Sequence, residues 1–344
     1  MRRMIFALGV LLATAAFTDP PGPPNPGPQR YNYGPSVLWD DSALRWRAWW
    51  CGARVNAQGQ NIGGDAIWYA DSADASTWTA AQMVLQPSAS GWDSFHVCDP
   101  SVLRNVKLAG PVRPFVMSSP GPDGVAGADN DGRIGVAWSS DGIAWTRVQQ
   151  LTLGCQSATS LGCQHFSAVK LREGNPDPAF GGRFVAIYSQ SKTDGSSGAY
   201  AVESPDGITW WGNAGAPGSA PQRLTYPVTV GHIYMTAGAD LMLDRGAGRY
   251  LLTFTFGTVE FVFSLPARWY GGIEGAAIAV QEEAYQTSAD GSYVPGFFRA
   301  ADGYRPWSAG ADSWRLWSMT ADRNIRDANG NPQETTLVRI RWNY

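Results

Sequence analysis

A turn of one composition returns three times at a nearly fixed interval, and it limits the possible folds more than any other feature of the chain. The copies are Ser72-Ala73-Asp74-Ala75-Ser76-Thr77-Trp78, Ser139-Ser140-Asp141-Gly142-Ile143-Ala144-Trp145 and Ser204-Pro205-Asp206-Gly207-Ile208-Thr209-Trp210, with serines 67 and 65 residues apart. Each copy follows an apolar, strand-like run, at 66–70, 134–138 and 199–202. The residue types suit a tight turn: the carboxylate accepts hydrogen bonds from the backbone just after it, glycine admits positive φ, and tryptophan packs back into the core.

A second mark keeps the same period. Tyr33-Gly34-Pro35-Ser36-Val37-Leu38, Cys98-Asp99-Pro100-Ser101-Val102-Leu103 and Cys163-Gln164-His165-Phe166-Ser167-Ala168 begin successive strand patterns, with Gly34, Asp99 and Gln164 each 65 residues apart. Residues 238–243 fit a fourth copy, and second strands follow at 47–50, 114–117, 183–188 and 249–254. Two marks on one period define a repeat, and a strand-rich unit of this length is a propeller blade. The chain has 344 residues, and at ~65 per blade its folded part holds close to five. The expectation is an all-β fold, a five-bladed β-propeller, as one domain over 31–344. The blades fall near 31–95, 96–160, 161–230 and 231–295, with a short last one at 296–344 that a strand from the N-terminus completes. A two-domain β-sandwich is the alternative architecture. With 40 Gly, 23 Pro and 16 Trp but only 16% charged residues, the composition favours turns and aromatic cores over helical bundles or disorder.

The N-terminus reads as an address. Met1-Arg2-Arg3, an apolar run over 5–17 and the small residues Ala13-Thr14-Ala15 follow the order of a secretory signal peptide. Residues 1–17 are therefore assigned as a signal peptide and the proline-rich 18–30 as a linker, which places the protein outside the cytoplasm, secreted or periplasmic. No later stretch approaches the ~20 apolar residues of a spanning helix, so no membrane insertion is expected. A net charge of −3 without a basic stripe argues against nucleic acid as a partner. The cysteines Cys51, Cys98, Cys155 and Cys163 are even in number, which favours two disulfides in an oxidising compartment. Cys155 with Cys163 and Cys51 with Cys98 is the preferred pairing of the three that four cysteines allow. A zinc site is weighed against it, but the chain has no CxxC pair.

Propeller topology sorts the loops. Those leading into the innermost strands share a face with those between second and third strands, and the Ser-x-Asp turns lie on the other. The first face gathers Asn32, Tyr33, Asp65, Trp92, Asp93, His96, Asp99, Gln164, His165, His232, Asp240, Glu260, Trp269, Tyr270 and Glu274. Carboxylates beside flat aromatic rings suit a carbohydrate, whose C–H faces stack while its hydroxyls hydrogen-bond. A single histidine is ordinarily a hydrogen-bonded structural residue. His96, His165 and His232, however, hold one topological position at intervals of 69 and 67, and form a candidate ligand set for a divalent metal ion in the channel. No cofactor is otherwise expected.

The three turns resemble the Asp boxes of sialidases and related propellers. The segment Gly91-Trp92-Asp93-Ser94-Phe95-His96-Val97-Cys98-Asp99-Pro100-Ser101-Val102, with Tyr31-Asn32-Tyr33-Gly34-Pro35-Ser36-Val37, resembles the strand starts of five-bladed glycosidases related to glycoside hydrolase family 43. The likeness spans the first two blades well and the third loosely. It implies hydrolysis of a polysaccharide or oligosaccharide between two carboxyl groups, with Asp99 as one of them. The chain departs from that pattern at Gly34, where the family's base stands, and at Gln164, near its acid. Asp65, Asp240 or Glu274 would then supply the second carboxyl, and Asp99 as base with Glu274 as acid is the preferred pair. Solvated or turn-capping carboxylates are the ordinary reading of Glu274, Asp65 and Asp99. A carbohydrate-binding or scaffold propeller without hydrolytic activity is the alternative function. There is no GxSxG elbow, P-loop or dinucleotide fingerprint, and a monomer is expected.

Overall fold

The computed structural model describes residues 32–108, 111–121, 133–151, 153, 160–170, 184–192, 198–212, 216–223, 237–244, 249–256, 259–266, 283–285, 292–300, 304, 315–326 and 332–343. Among them every regular element is a strand. The period read from the sequence divides them. The first repeat supplies β1 (Asn32–Asp40), β2 (Arg45–Val55), β3 (Asn61–Ser72) and β4 (Gln82–Leu85). The second supplies β5 (Ser101–Lys107), β6 (Val112–Gly121), β7 (Arg133–Ser139) and β8 (Trp145–Gln150). The third supplies β9 (Ser160–Lys170), β10 (Phe184–Lys192), β11 (Gly198–Ser204) and β12 (Gln222–Arg223). The fourth is β13 (Ala237–Asp244), β14 (Arg249–Phe256), β15 (Val259–Pro266) and β16 (Glu283–Tyr285), and the last is β17 (Ser292–Arg299), β18 (Arg315–Arg326) and β19 (Pro332–Asn343). Within each repeat the strands form an antiparallel meander in sequence order.

The last meander has three strands among the described residues and joins the first through its inner edge. There β17 runs parallel to β1, pairing Val37 with Phe298 and Leu38 with Arg299. The contact with the start of the chain is thus inner strand to inner strand. Residues 1–31, with the signal peptide and linker, lie outside the described residues.

Apolar layers separate successive sheets. Leu38, Trp49, Ile67 and Tyr69 of the first meander pack on Val102, Phe115 and Met117 of the second. Leu103, Val116 and Val136 of the second pack on Phe166, Ala186 and Tyr200 of the third. The opposite face of the first sheet, with Val37, Trp50 and Trp68, meets Phe298 of the last. The first sheet is therefore covered on both faces, which explains why the adjacent pair Trp49-Trp50 is wholly buried. Trp49 keeps its polar edge satisfied by donating its indole N–H to Gly142 O at 2.8 Å, so the second repeat's turn is also a clasp on the first sheet.

The turns sit between third and fourth strands, as expected. In the second, Asp141 Oδ1 accepts from Ile143 N and Ala144 N, both at 2.8 Å, and from Ser139 Oγ at 2.8 Å. In the third, Asp206 Oδ1 accepts from Ile208 N at 2.8 Å and Thr209 N at 2.7 Å. Trp145 and Trp210 each donate the indole N–H to the turn glycine's carbonyl at 3.2 Å. In the first turn Asp74 plays the same part, but Ala75 holds φ of 58° where Gly142 and Gly207 hold 79° and 77°.

Inner strands are tied in succession by one device. Ser36 Oγ accepts from Val102 N at 3.0 Å, Ser101 Oγ from Ala168 N at 3.1 Å, and Ser167 Oγ from Leu241 N at 2.9 Å. At the next step Asp240 takes the serine's place, with Oδ2 accepting from Phe297 N at 2.7 Å. Arg299, fully buried, returns to Ser36 Oγ at 2.5 Å. The links run β1 to β5 to β9 to β13 to β17 and back to β1.

One expectation is corrected. Cys51 and Cys98 are free thiols, both buried. Their sulfurs and a carboxylate oxygen of Asp65 lie within 4.8 Å of one another, and His96 Nδ1 stands 3.7 Å from Asp65 Oδ2. The pair is part of a polar cluster instead of a closed bridge. The Cys155–Cys163 pairing falls on a segment that includes residues outside the described set.

Candidate active site

The serine links fix a register that spacing alone misplaces. Two residues before Ser36, Ser101 and Ser167 stand Gly34, Asp99 and His165, and all three have left-handed backbones, with φ of 60°, 43° and 53°. The structural counterpart of Asp99 in the third repeat is therefore His165, one residue beyond Gln164. Pairing with the neighbouring second strand slips between Tyr33 and Ser36 and again between Ala237 and Ala239. Such irregularities re-aim a side chain at the start of a strand. Asp and His tolerate this region better than most residues, yet it costs roughly 1–2 kcal/mol relative to ordinary backbone. Two such positions side by side mark a site whose geometry is imposed by its surroundings.

Asp99 and His165 meet directly. Nδ1 of His165 lies 2.7 Å from Asp99 Oδ2, with 9% and 7% of the two residues exposed. Burial works to lower the imidazole's pKa, but the Asp99 carboxylate prevails and raises it. Asp99 Oδ1 is buried and has no hydrogen-bond partner among the described residues. It occupies the space of an absent side chain: a Cβ on Gly34 would collide with it. Glycine at position 34 thus makes room for the Asp99 carboxylate.

A second cluster adjoins the first through Cys98. Tyr33 pairs with Cys51 across β1 and β2, and Cys51 pairs with Ile67 across β2 and β3. Asp65, two residues from Ile67, shares its face and is a diagonal neighbour of Cys51. The loop over 91–99 crosses this hairpin, held by Val97 N to Asp65 O at 3.1 Å. Gly64 permits the approach, because a Cβ there would strike Phe95 O. The Tyr33 hydroxyl donates to Asp65 Oδ2 at 2.7 Å, and His96 Nδ1 stands 3.7 Å from the same oxygen. Burial raises the Asp65 pKa, with Tyr33 and His96 opposing. For His96, burial is outweighed by its contact with Cys98 and by the Asp65 and Asp99 charges, which push it up to about 9. Burial raises Cys51, whereas Cys98 is lowered by its contact with Cys51 and by His96.

The remaining expected residues separate from this centre. Asn32 Oδ1 accepts from the Trp50 indole at 2.7 Å, inside the first sheet. The Trp92 ring occupies the space beside Gly135 of β7, where a Cβ would overlap it. Asp93 is buried and accepts from Arg147 Nε at 2.8 Å. Gln164 receives the Ser189 hydroxyl on its main-chain carbonyl at 3.1 Å. Both carboxylate oxygens of Asp240 serve the links between inner strands, one receiving Ser167 Oγ at 2.5 Å. His232, Trp269 and Glu274 lie outside the described residues. His96 and His165 face different carboxylates. Cys51, Cys98 and Phe95 belong to the site and were not singled out as such in the sequence. Phe95 is 46% exposed and leans on His96, with ring centroids 5.3 Å apart. Its signal was its place one residue before His96.

By sequence, no protein family and no curated protein matches the chain. By structure, similar proteins are glycoside hydrolases. A family 117 glycoside hydrolase from the marine bacterium Zobellia galactanivorans superposes with a TM-score of 0.56 at 14% identity, over 94% of this chain and 88% of that one. A thermostable family-43 glycoside hydrolase gives 0.55 at 11% identity, over 93% and 92%. An endo-arabinase from Bacteroides thetaiotaomicron gives 0.54 at 13% identity, over 94% and 97%. The all-β fold is the one shared by these propeller-type glycosidases.

Proposed function

We propose that the chain is a five-bladed β-propeller glycoside hydrolase, exported from the cytoplasm, that acts on a polysaccharide or oligosaccharide with Asp99 as its general base. The observation that carries this reading is the Asp99 carboxylate. It is buried, paired on one oxygen with His165, without a hydrogen-bond partner among the described residues on the other, and set by a left-handed backbone at the start of an inner strand. A base that takes a proton from water needs a carboxylate oxygen that is positioned and open to that water. Glu274 is the proposed acid; in an inverting pair the two carboxyls stand ~6.5–9.5 Å apart with water between. Phe95, exposed beside His96, replaces Trp92 as the stacking surface for a sugar ring. The Ser-x-Asp turns are read as Asp boxes, and their role is structural.

A second reading has its own observation. Gly34 and His165 occupy the positions equivalent to Asp99 in the flanking repeats, so two of three such positions lack a carboxylate. This favours a carbohydrate-binding propeller that does not cleave. A screen of aryl-glycosides and plant, algal and bacterial polysaccharides with reducing-sugar detection separates the two. Release of sugar by the wild-type chain supports the hydrolase. Binding on a glycan array with no release from the glycans bound supports the second reading.

A further inference from the structure

Four potential ligand groups gather where the loop that ends at Asp99 meets the first sheet: two thiols, a carboxylate and an imidazole. Sγ of Cys51, Sγ of Cys98 and a carboxylate oxygen of Asp65 all lie within 4.8 Å of one another. His96 adjoins the set, with Nδ1 3.7 Å from Asp65 Oδ2, although it is not within 4.8 Å of all three other ligand atoms. They come from three separate places: β2, β3 and the 91–99 loop.

We propose that Cys51, Asp65, His96 and Cys98 bind one thiophilic divalent cation of the zinc class in a tetrahedral site. Zinc takes sulfur at ~2.3 Å and nitrogen or oxygen at ~2.0–2.2 Å, so tetrahedral neighbours stand about 3.4–3.8 Å apart. The Asp65–His96 spacing already has this value, and Cys51, Cys98 and Asp65 need to close on one another by about an ångström at most; His96 has farther to turn toward the sulfurs. Two sulfurs select zinc-like over calcium-like ions, since calcium takes oxygen ligands. Tyr33 supplies the outer hydrogen bond that orients a ligating carboxylate, at 2.7 Å. A Cys51–Cys98 disulfide would engage two of these groups and leave Asp65 and His96 beside an apolar bridge, whereas a cation engages all four. With four protein ligands the site is closed and structural. Its task is to anchor the loop ending at Asp99 to the first sheet. This assignment takes Asp65 out of the acid role and does not depend on whether the chain hydrolyses sugar.

The test uses the full chain, purified without chelator. Elemental analysis should find about one zinc per chain. Removal of the metal under reducing conditions and loading with Co²⁺ should give a thiolate-to-cobalt charge-transfer band and the visible bands of a tetrahedral ion, with excess Ca²⁺ causing no loss. The band should survive in a Cys155→Ser/Cys163→Ser variant and vanish in Cys51→Ser. Tyr33→Phe should weaken zinc ~10–100-fold. The wild-type spectrum decides even if Cys51→Ser fails to fold. Three results would each overturn the site: a Cys51–Cys98 disulfide in peptide maps of the freshly isolated chain, a reduced chain that takes up no stoichiometric zinc or cobalt, or bound cobalt without the sulfur band.

Discussion

Backbone sign at single residues carries much of this protein's organisation. Ala75 holds φ of 58° in a turn whose other copies use glycine, and its methyl group is what makes that conformation costly. Replacing Ala75 with glycine should stabilise the fold by about 1 kcal/mol, read as a higher Tm. Gly34 presents the reverse case. Gly34→Ala puts a methyl group where Asp99 Oδ1 lies, so hydrolysis should fall at least tenfold and the Tm should drop. Unchanged activity in that variant would show that the carboxylate need not occupy this pocket. Asp99, Asp65 and His96 were legible as site residues because the period brought their loops together. The equivalence of His165 with Asp99 was not, since a constant spacing of 65 lands on Gln164 and the sign of φ leaves no mark on a histidine. Cys51 and Cys98 were misread because an even cysteine count suggests pairing without showing what else contacts the sulfurs.

At the scale of elements, the inner strands depend on serine hydroxyls that accept backbone N–H groups from the next sheet. Ser101→Ala leaves the Ala168 N–H buried and unpaired, which should cost about 1–3 kcal/mol in urea unfolding. Ser36→Ala should cost more, because Ser36 also receives Arg299. The inner three strands of the first three repeats were readable from apolar runs and turn residues. These links were not, because a serine two residues past a turn looks like any strand-start serine. The Ser-x-Asp turns add a pH dependence. Backbone hydrogen bonds from Thr77 and Ser76 hold Asp74 at about 2 against an ordinary 3.8. Asp141 is also lowered, because the Ala144 and Ile143 amides outweigh its burial. A depressed folded pKa gives stability that is present above the unfolded value and lost as pH falls through the folded one. An Asp74→Asn/Asp141→Asn variant should therefore melt with a shallower pH dependence than wild type between about pH 4 and 2. Parallel curves would show that the turns do not couple to acid unfolding.

For the whole molecule, apolar layers join the first three meanders and tie the first to the last, and the links between inner strands return to β1 through Arg299 and the β1–β17 pairing. That arrangement brings residues 65 to 70 apart in sequence to one end of the inner strands. It is why Asp99 and His165, from different repeats, can meet. The central claim is that Asp99 acts as the base in sugar hydrolysis. It is tested most directly by kcat for Asp99→Asn on a substrate the wild-type chain cleaves, with the Tm measured alongside. The account predicts a fall of about 10²–10⁴-fold in kcat with a Tm within a few degrees of wild type. Near-wild-type turnover, or a collapse of the Tm that accounts for the lost activity, would contradict it.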